Sequence, residues 1–356
     1  MGNTLRAAVD IREVDAILAV KLLTRNPALE AELEVSSVSI DDIYFLKIPL
    51  DTLETFIASP LGSALTADSG TLPAVGSGCW RLDLTPLMPN ITLERHREAP
   101  CIIAGTSVIR SSIYCIPISP EWKMSDPLDL EVETISCQLP REPFLLVTVK
   151  AGTSFFHVTH GEVVRMGGSP IGGATLKSLT DLTPPTDYPL DLLVSDIYGS
   201  EGAPASVGLP GYAIASVFGK AETKSGSACS GSTSLKSLAN LFAMNTAQLS
   251  YLHASLAGCS SVVFAFVEPL ADQLLPVLVH RFLHFWSKGS VSTVFLAHAD
   301  LLACAGALAT REAMLENLTP GRLPEARDTI TFEEHRYDET YTSLLLSSSA
   351  SEVESS

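Results

Sequence analysis

Hydrophobic positions gather into short dense runs near the middle of the chain and into longer, helically spaced stretches in its second half. Phe144-Leu145-Leu146-Val147-Thr148-Val149 is apolar almost throughout and predicts a strand buried on both faces. A turn at Lys150-Ala151-Gly152-Thr153 follows, then a second strand over Ser154–Val158 and a hairpin turn at His160-Gly161-Glu162. Further on, Leu235–Leu256 predicts a helix, Ser261–Val267 a buried strand, and Ala271–Trp286 a helix kinked at Pro276 and ended by Lys288-Gly289. Val294–Leu296 predicts a short strand and Leu301–Arg311 an Ala-rich helix. The first part is less regular. Residues 12–36 read as mostly helix broken at Pro27, and Ile43–Ile48 as a strand. Asp51–Ile57 reads as a helix with Asp51 as N-cap and Glu54 at the third position. Residues 61–79 are rich in Gly, Ser, Ala and Thr, and 118–140 predict a Pro-rich surface excursion. No internal repeat is visible.

The segment Val163–Thr175 carries four glycines, an arginine, a serine and a threonine within thirteen residues. Glycines let backbone approach an oxyanion closely, and a helix starting near Thr175 would add its N-terminal field. Such a segment is also an ordinary turn in many proteins. Its place after two strands and before a helix predicts an α/β lobe with a phosphate loop.

Composition narrows the classes. The chain has 356 residues, 46% apolar and 18% charged, enough for one large or two smaller cores. A net charge of −17 with no basic cluster argues against nucleic acid. Seven scattered cysteines without a Cys-x-x-Cys unit do not suggest a disulfide framework, so a reducing compartment is expected. The apolar run Leu274–Val279 meets His280 and Arg281 too soon to span a bilayer, and the N-terminus lacks a signal-peptide layout. A cytoplasmic protein without membrane association is expected. Three regions are expected: 1–140, a divergent or truncated N-terminal lobe; 141–320, a C-terminal lobe with the Gly-rich loop and dimer helices; and 321–356, an acidic, Ser-rich, disordered tail.

Several motifs in order over residues 43–310 resemble the eukaryotic-type (type II) pantothenate kinase family. They are Arg165-x-x-Gly168-x-x-x-Gly172-Gly173-x-Thr175, Asp196-Ile197-Tyr198-Gly199, Gly208–Gly219, Phe285–Gly289 and Phe295-Leu296-x-His298. The resemblance implies an α/β, two-lobed actin/hexokinase-like (ASKHA) kinase fold, dimeric, that phosphorylates pantothenate with ATP and Mg2+. It implies Glu98 as the carboxylate beside the attacking oxygen, although a solvated surface glutamate is the plain alternative. It further implies that Ser154, Arg165, Gly168 and Trp286 face the acceptor, Trp286 near the acyl-chain end, with acyl-coenzyme A as a regulator. Gly76, Gly78, Gly152, Gly172, Gly173 and Thr175 would lie on the nucleotide side.

The nucleotide side departs from the family pattern. The family's Gly-rich first hairpin has no counterpart in Met1–Val20: Ala8-Val9-Asp10-Ile11 is similar to its start, but Arg12-Glu13 replaces the glycines. The next turn reads Lys150-Ala151-Gly152, and Phe266 and Asp300 stand where close-approach glycines are expected, filling or charging an adenine shelf. Three functions stay open: an impaired or regulatory subunit paired with an active paralogue; an active pantothenate kinase, as homodimer or with a site shared across a heterodimer; and a metabolite- or protein-binding scaffold.

Overall fold

The computed structural model describes residues 5–12, 15–23, 26–67, 70–81, 86, 89–117, 134–182, 190–204, 206, 208–221, 233–267 and 274–317. The chain divides into a unit of Met1–Glu312 and a unit of Ala313–Ser356. The expected tail at 321–356 and most of the excursion at 118–140 lie outside the described residues.

The first sheet is built from β1 (Leu5–Ile11), β2 (Asp15–Leu22), β3 (Val38–Ile40), β4 (Ile43–Pro49), β5 (Gly70–Val75) and β6 (Ile91–Arg95), in the order β3-β4-β2-β1-β5-β6. The second contains β7 (Ile113–Cys115), β8 (Ile135–Ser136), β9 (Phe144–Val149), β10 (Thr153–Thr159) and β11 (Glu162–Ser169). After a small ribbon of β12 (Leu192–Leu193) and β13 (Ile214–Ser216), β14 (Ser261–Phe266) and β15 (Ser292–Leu296) complete the order β11-β10-β9-β14-β15-β7-β8.

The two sheets share one plan. In each, an antiparallel meander (β1-β2-β4, β9-β10-β11) is extended on the side of its first strand by two parallel strands (β5 and β6, β14 and β15). This duplicated order belongs to the actin/hexokinase-like kinase fold. It is invisible as a sequence repeat because only the topology recurs.

Helices fill the space around the sheets: α1 (Pro27–Ser36), α2 (Leu53–Ala58), α3 (Pro60–Ala67), α4 (Gly78–Arg81), α5 (Glu98–Val108), α6 (Gly173–Leu182), α7 (Val194–Tyr198), α8 (Thr233–Ala257), α9 (Leu274–Ser287) and α10 (Ala299–Asn317). One core joins Ala8, Phe45 and Val75 of the first sheet to Leu146, Val263 and Leu296 of the second through α5 and α10, which are sandwiched between them. The two helices cross with Gly105 against the Leu302 backbone and Gly306 against the Cys101 backbone, where no larger residue fits. A second core packs α8 and α9 on the other face of the second sheet, and a third packs α1 and α3 on the first.

Five local expectations are corrected. Residues 12–36 hold a strand and a helix. Asp15–Val20 is buried on both faces as a central strand, so its apolar run has no alternation and imitates a helix. A first hairpin therefore does exist, pairing Leu5–Ile11 with Ala16–Leu22. Pro27 starts α1, with the Asn26 side chain accepting from the Ala28 and Leu29 amides. Asp51 lies inside a 3-10 turn, Leu50–Thr52, and α2 begins at Leu53. Pro276 sits in the first turn of α9, where its missing N–H costs nothing.

Candidate functional site

Three of the four residues expected to face an acceptor, Ser154, Arg165 and Gly168, meet on one face of the meander. In the β10–β11 pairing Ser154 lies opposite Gly168 and Phe156 opposite Arg165, with a bulge between Phe155 and Phe156. Ser154 and Phe156 are two residues apart and share a face, so the bulge turns Arg165 onto the face of Ser154. The Arg165 guanidinium then lies over Gly168: a Cβ there would come within 2.5 Å of Nη2 and 2.9 Å of the Thr153 carbonyl. Arg165 is exposed, so its cationic fork is open to an anionic ligand.

Helix α5 brings Glu98 alongside. Arg97 donates through Nη2 to the Val163 carbonyl at 2.9 Å, fixing the start of α5 on β11. Glu98, the first residue of α5, forms an ion pair with Lys150, whose side chain rises from the turn after β9. Both side chains are partly exposed. Two backbone bonds tie the turn: the Lys150 amide donates to the Gly152 carbonyl at 2.9 Å, and the Gly173 amide donates to the Lys150 carbonyl at 2.5 Å.

The Gly-rich segment divides between strand and loop. Gly167 and Gly168 belong to β11, and α6 starts at Gly173, two residues before the expected start near Thr175. Gly172 packs on the Ala151–Gly152 backbone, and Thr153 Oγ1 donates to the Ile171 carbonyl at 2.8 Å. Thr175 Oγ1 donates to the Pro170 carbonyl at 3.2 Å, so its hydroxyl closes its own loop. Gly152, Gly172, Gly173 and Thr175 thus form one turn-on-turn contact beneath Lys150.

The end of β1 meets the first turn of α10, and the floor of this junction is Asp10. Its side chain is 1% exposed and its Oδ2 accepts from Arg12 Nε at 3.1 Å. Arg12 Nη2 also donates to the Asp300 carbonyl, in the first turn of α10, at 2.6 Å. Gly76 turns beneath Asp10 with φ +86°, a conformation glycine adopts without strain, and a Cβ there would collide with Asp10 Oδ1. Gly78 packs on Ile11 and on the Arg12 carbonyl. Burial raises the Cys101 thiol pKa to about 12, reinforced by Glu98 and then Asp10, so both carboxylates bear on one region.

Trp286 lies elsewhere. It packs on the core of α8 and α9, edge-to-face with Phe285 at 5.3 Å, on the opposite face of the sheet from the Glu98 helix. Phe266 stacks on Phe264 at 5.9 Å and faces Phe295 at 6.4 Å, filling space with aromatic surface. Asp196 of the Asp196–Gly199 motif is ion-paired to Lys220 at 2.6 Å and accepts from the Leu193 amide. These two contacts, Lys220 first, hold its carboxyl below the usual range. The pairings Glu98–Lys150 and Asp10–Arg12 were not foreseen. The first spans 52 residues and leaves no local pattern; the second has a signal in the i, i+2 spacing of opposite charges at a strand end.

Among the described residues no helix is long and apolar enough to cross a membrane. The sequence model of the Fumble family matches residues 20–310. Pantothenate kinase 1 of Oryza sativa subsp. japonica is 33% identical over 187 residues, 48% of this chain and 28% of that protein. Pantothenate kinase of Schizosaccharomyces pombe is 29% identical over 258 residues, 67% of this chain and 62% of that protein. The 4'-phosphopantetheine phosphatase of Mus musculus is 27% identical over 292 residues, 78% of this chain and 35% of that protein. This chain therefore spans less than two thirds of each of these relatives. Among solved structures, an activator of 2-hydroxyisocaproyl-CoA dehydratase from Clostridium difficile is similar with a TM-score of 0.45 and 9% identity, over 90% of this chain and 100% of that one.

Proposed function

The chain belongs to the Fumble family of eukaryotic-type pantothenate kinases, and from that premise we propose that it is a non-catalytic or regulatory member that binds pantothenate and pairs with an active paralogue. One relative is named as a phosphatase, so membership does not by itself assign kinase chemistry to this chain.

The observation that carries the reading is the ion pair of Glu98 with Lys150. Phosphoryl transfer to a hydroxyl uses a carboxylate free to receive its proton. Here that carboxylate is engaged by an ammonium from the very turn that would cradle phosphate. Arg12 and Phe266 alter the donor side in the same sense, each filling a position where a nucleotide needs open backbone. On the acceptor side, Ser154, Gly168 and Arg165 lie together. Arg165 over Gly168, beside Ser154, offers a cationic fork and a hydroxyl suited to a small hydroxy acid such as pantothenate.

A second reading is an active kinase using ATP and Mg2+, its site completed by another subunit. It is favoured by Glu98 and Arg165 both standing beside β11, held there by the Arg97 bond to Val163. Acyl-coenzyme A regulation through Trp286 belongs to either reading.

Phosphorylation of labelled pantothenate separates the two. The chain alone, with ATP and Mg2+, is expected to show no turnover, and mixing it with an active paralogue is expected to change the paralogue's rate. Turnover by the chain alone at a rate like the paralogue's would contradict the proposal.

A further inference from the structure

A carboxylate taken out of water must be paired, protonated or metal-bound. Asp10 meets this condition in an unusual place. It lies in one of the two central strands of the first sheet, directly over the turn at Gly76 and facing the start of α10. Its Oδ1 is buried and has no hydrogen-bond partner among the described residues. The remaining oxygen is held by Arg12, itself only 20% exposed.

Mg2+, which the family's chemistry implies, does not fit these residues. It demands near-octahedral oxygen ligands at about 2.0–2.1 Å and usually keeps several waters. At Asp10 one oxygen carries a guanidinium and the other is sealed against the Gly76 turn. Among the described residues no group of three His, Cys, Asp or Glu side chains is placed to hold a metal ion.

We infer that Arg12 is a tethered cation that occupies the carboxylate at the floor of the junction and closes it to divalent metal. Its guanidinium satisfies Asp10 through Nε and spends Nη2 on the Asp300 carbonyl, 288 residues away in sequence. The same bond therefore straps the first hairpin to the first turn of α10. The thiol of Cys304 registers both charges: burial raises its pKa foremost, Asp10 raises it further and Arg12 lowers it. Cys304 also donates to the Ala8 and Ile17 carbonyls at 3.0 and 3.2 Å, so the floor is tied to α10 from below as well. Loss of the arginine frees Asp10 Oδ2 alone, a single buried carboxylate oxygen for a divalent ion that otherwise keeps its waters. The inference deepens the proposal of an altered nucleotide side and rests on it.

The test is metal binding, read without pantothenate or nucleotide, so that it stands apart from the acceptor-side proposal. Mn2+ is titrated into the wild-type chain, Arg12→Ala, Arg12→Gln and the double variant Asp10→Asn/Arg12→Ala, with free Mn2+ followed by electron paramagnetic resonance. The wild type is expected to leave Mn2+ free. Arg12→Ala and Arg12→Gln are expected to bind one Mn2+ per chain at least ten-fold more tightly, and to melt at higher temperature when it is added. The double variant is expected to do neither. Equal Mn2+ binding by wild type and Arg12→Ala overturns the inference. So does a folded Arg12 variant without an Asp10-dependent site, or failure of both single variants to fold even when refolded in millimolar Mn2+.

Discussion

Glu98 and Lys150 meet as an ion pair that joins the first residue of α5 to the turn between β9 and β10. The contact couples the helix layer between the sheets to the meander that presents Arg165. Because both side chains are partly exposed, its net stabilisation is small, of order 0–1 kcal/mol. Lys150→Ala is expected to lower the melting temperature by less than about 4 °C and to leave pantothenate affinity unchanged. A thermal scan paired with a pantothenate titration checks both; a loss of acceptor binding would place Lys150 in the acceptor site.

Gly76 and Gly161 offer a matched comparison. Both have positive φ, +86° and +75°, but a Cβ at Gly76 collides with Asp10 Oδ1 and the Ile11 carbonyl while one at Gly161 meets open space. Gly161→Ala should cost about 1–2 kcal/mol of backbone strain alone. Gly76→Ala should cost more, about 3 kcal/mol or above, through strain plus displacement of a buried carboxylate. Urea midpoints measure the difference, and equal losses would mean that the floor beneath Asp10 yields freely.

Arg165→Ala should remove most pantothenate binding with the fold intact. A charge-assisted, two-pronged contact contributes about 1.5–3 kcal/mol, a ten- to hundred-fold loss in affinity. Arg165→Lys should recover only part of it, because an ammonium cannot reproduce the planar fork. Calorimetric titration reads both variants.

His280 makes stability fall in mild acid. It is buried at the Thr293 hydroxyl, and burial first, then the neighbouring His284 and Arg281, lower its pKa from 6.5 to about 4. The folded state thus keeps His280 neutral where the unfolded chain binds a proton. The contribution is complete above pH 6.5 and is lost as pH falls towards 4, on the order of 3 kcal/mol in all. Urea denaturation across that range should show a shallower pH slope for His280→Gln than for the wild type; identical slopes would rule the histidine out.

The second sheet was legible because its strands are buried and flanked by turn residues: Phe144–Val149, Ser154–Val158 and Ser261–Val267 all stand within a residue or two of β9, β10 and β14. The first was not. Asp15–Val20 carries no period-two signal as a central strand, and Asp51 imitates a helix cap inside a 3-10 turn. At the site, Ser154, Arg165 and Gly168 could be chosen by motif, but only the bulge after Phe155 places Arg165 on the face of Ser154. The pairs Glu98–Lys150 and Asp10–Arg12 depend on how two sheets and two helices converge. Residue spacing reports local geometry, and these charges meet through tertiary packing.

The most direct test of the account is a pair of calorimetric titrations on the purified chain, one with pantothenate and one with MgATP. Pantothenate is expected to bind, with affinity lost in Arg165→Ala, while MgATP gives no heat of binding. Tight MgATP binding by the chain alone would contradict the account and make an active kinase the leading reading.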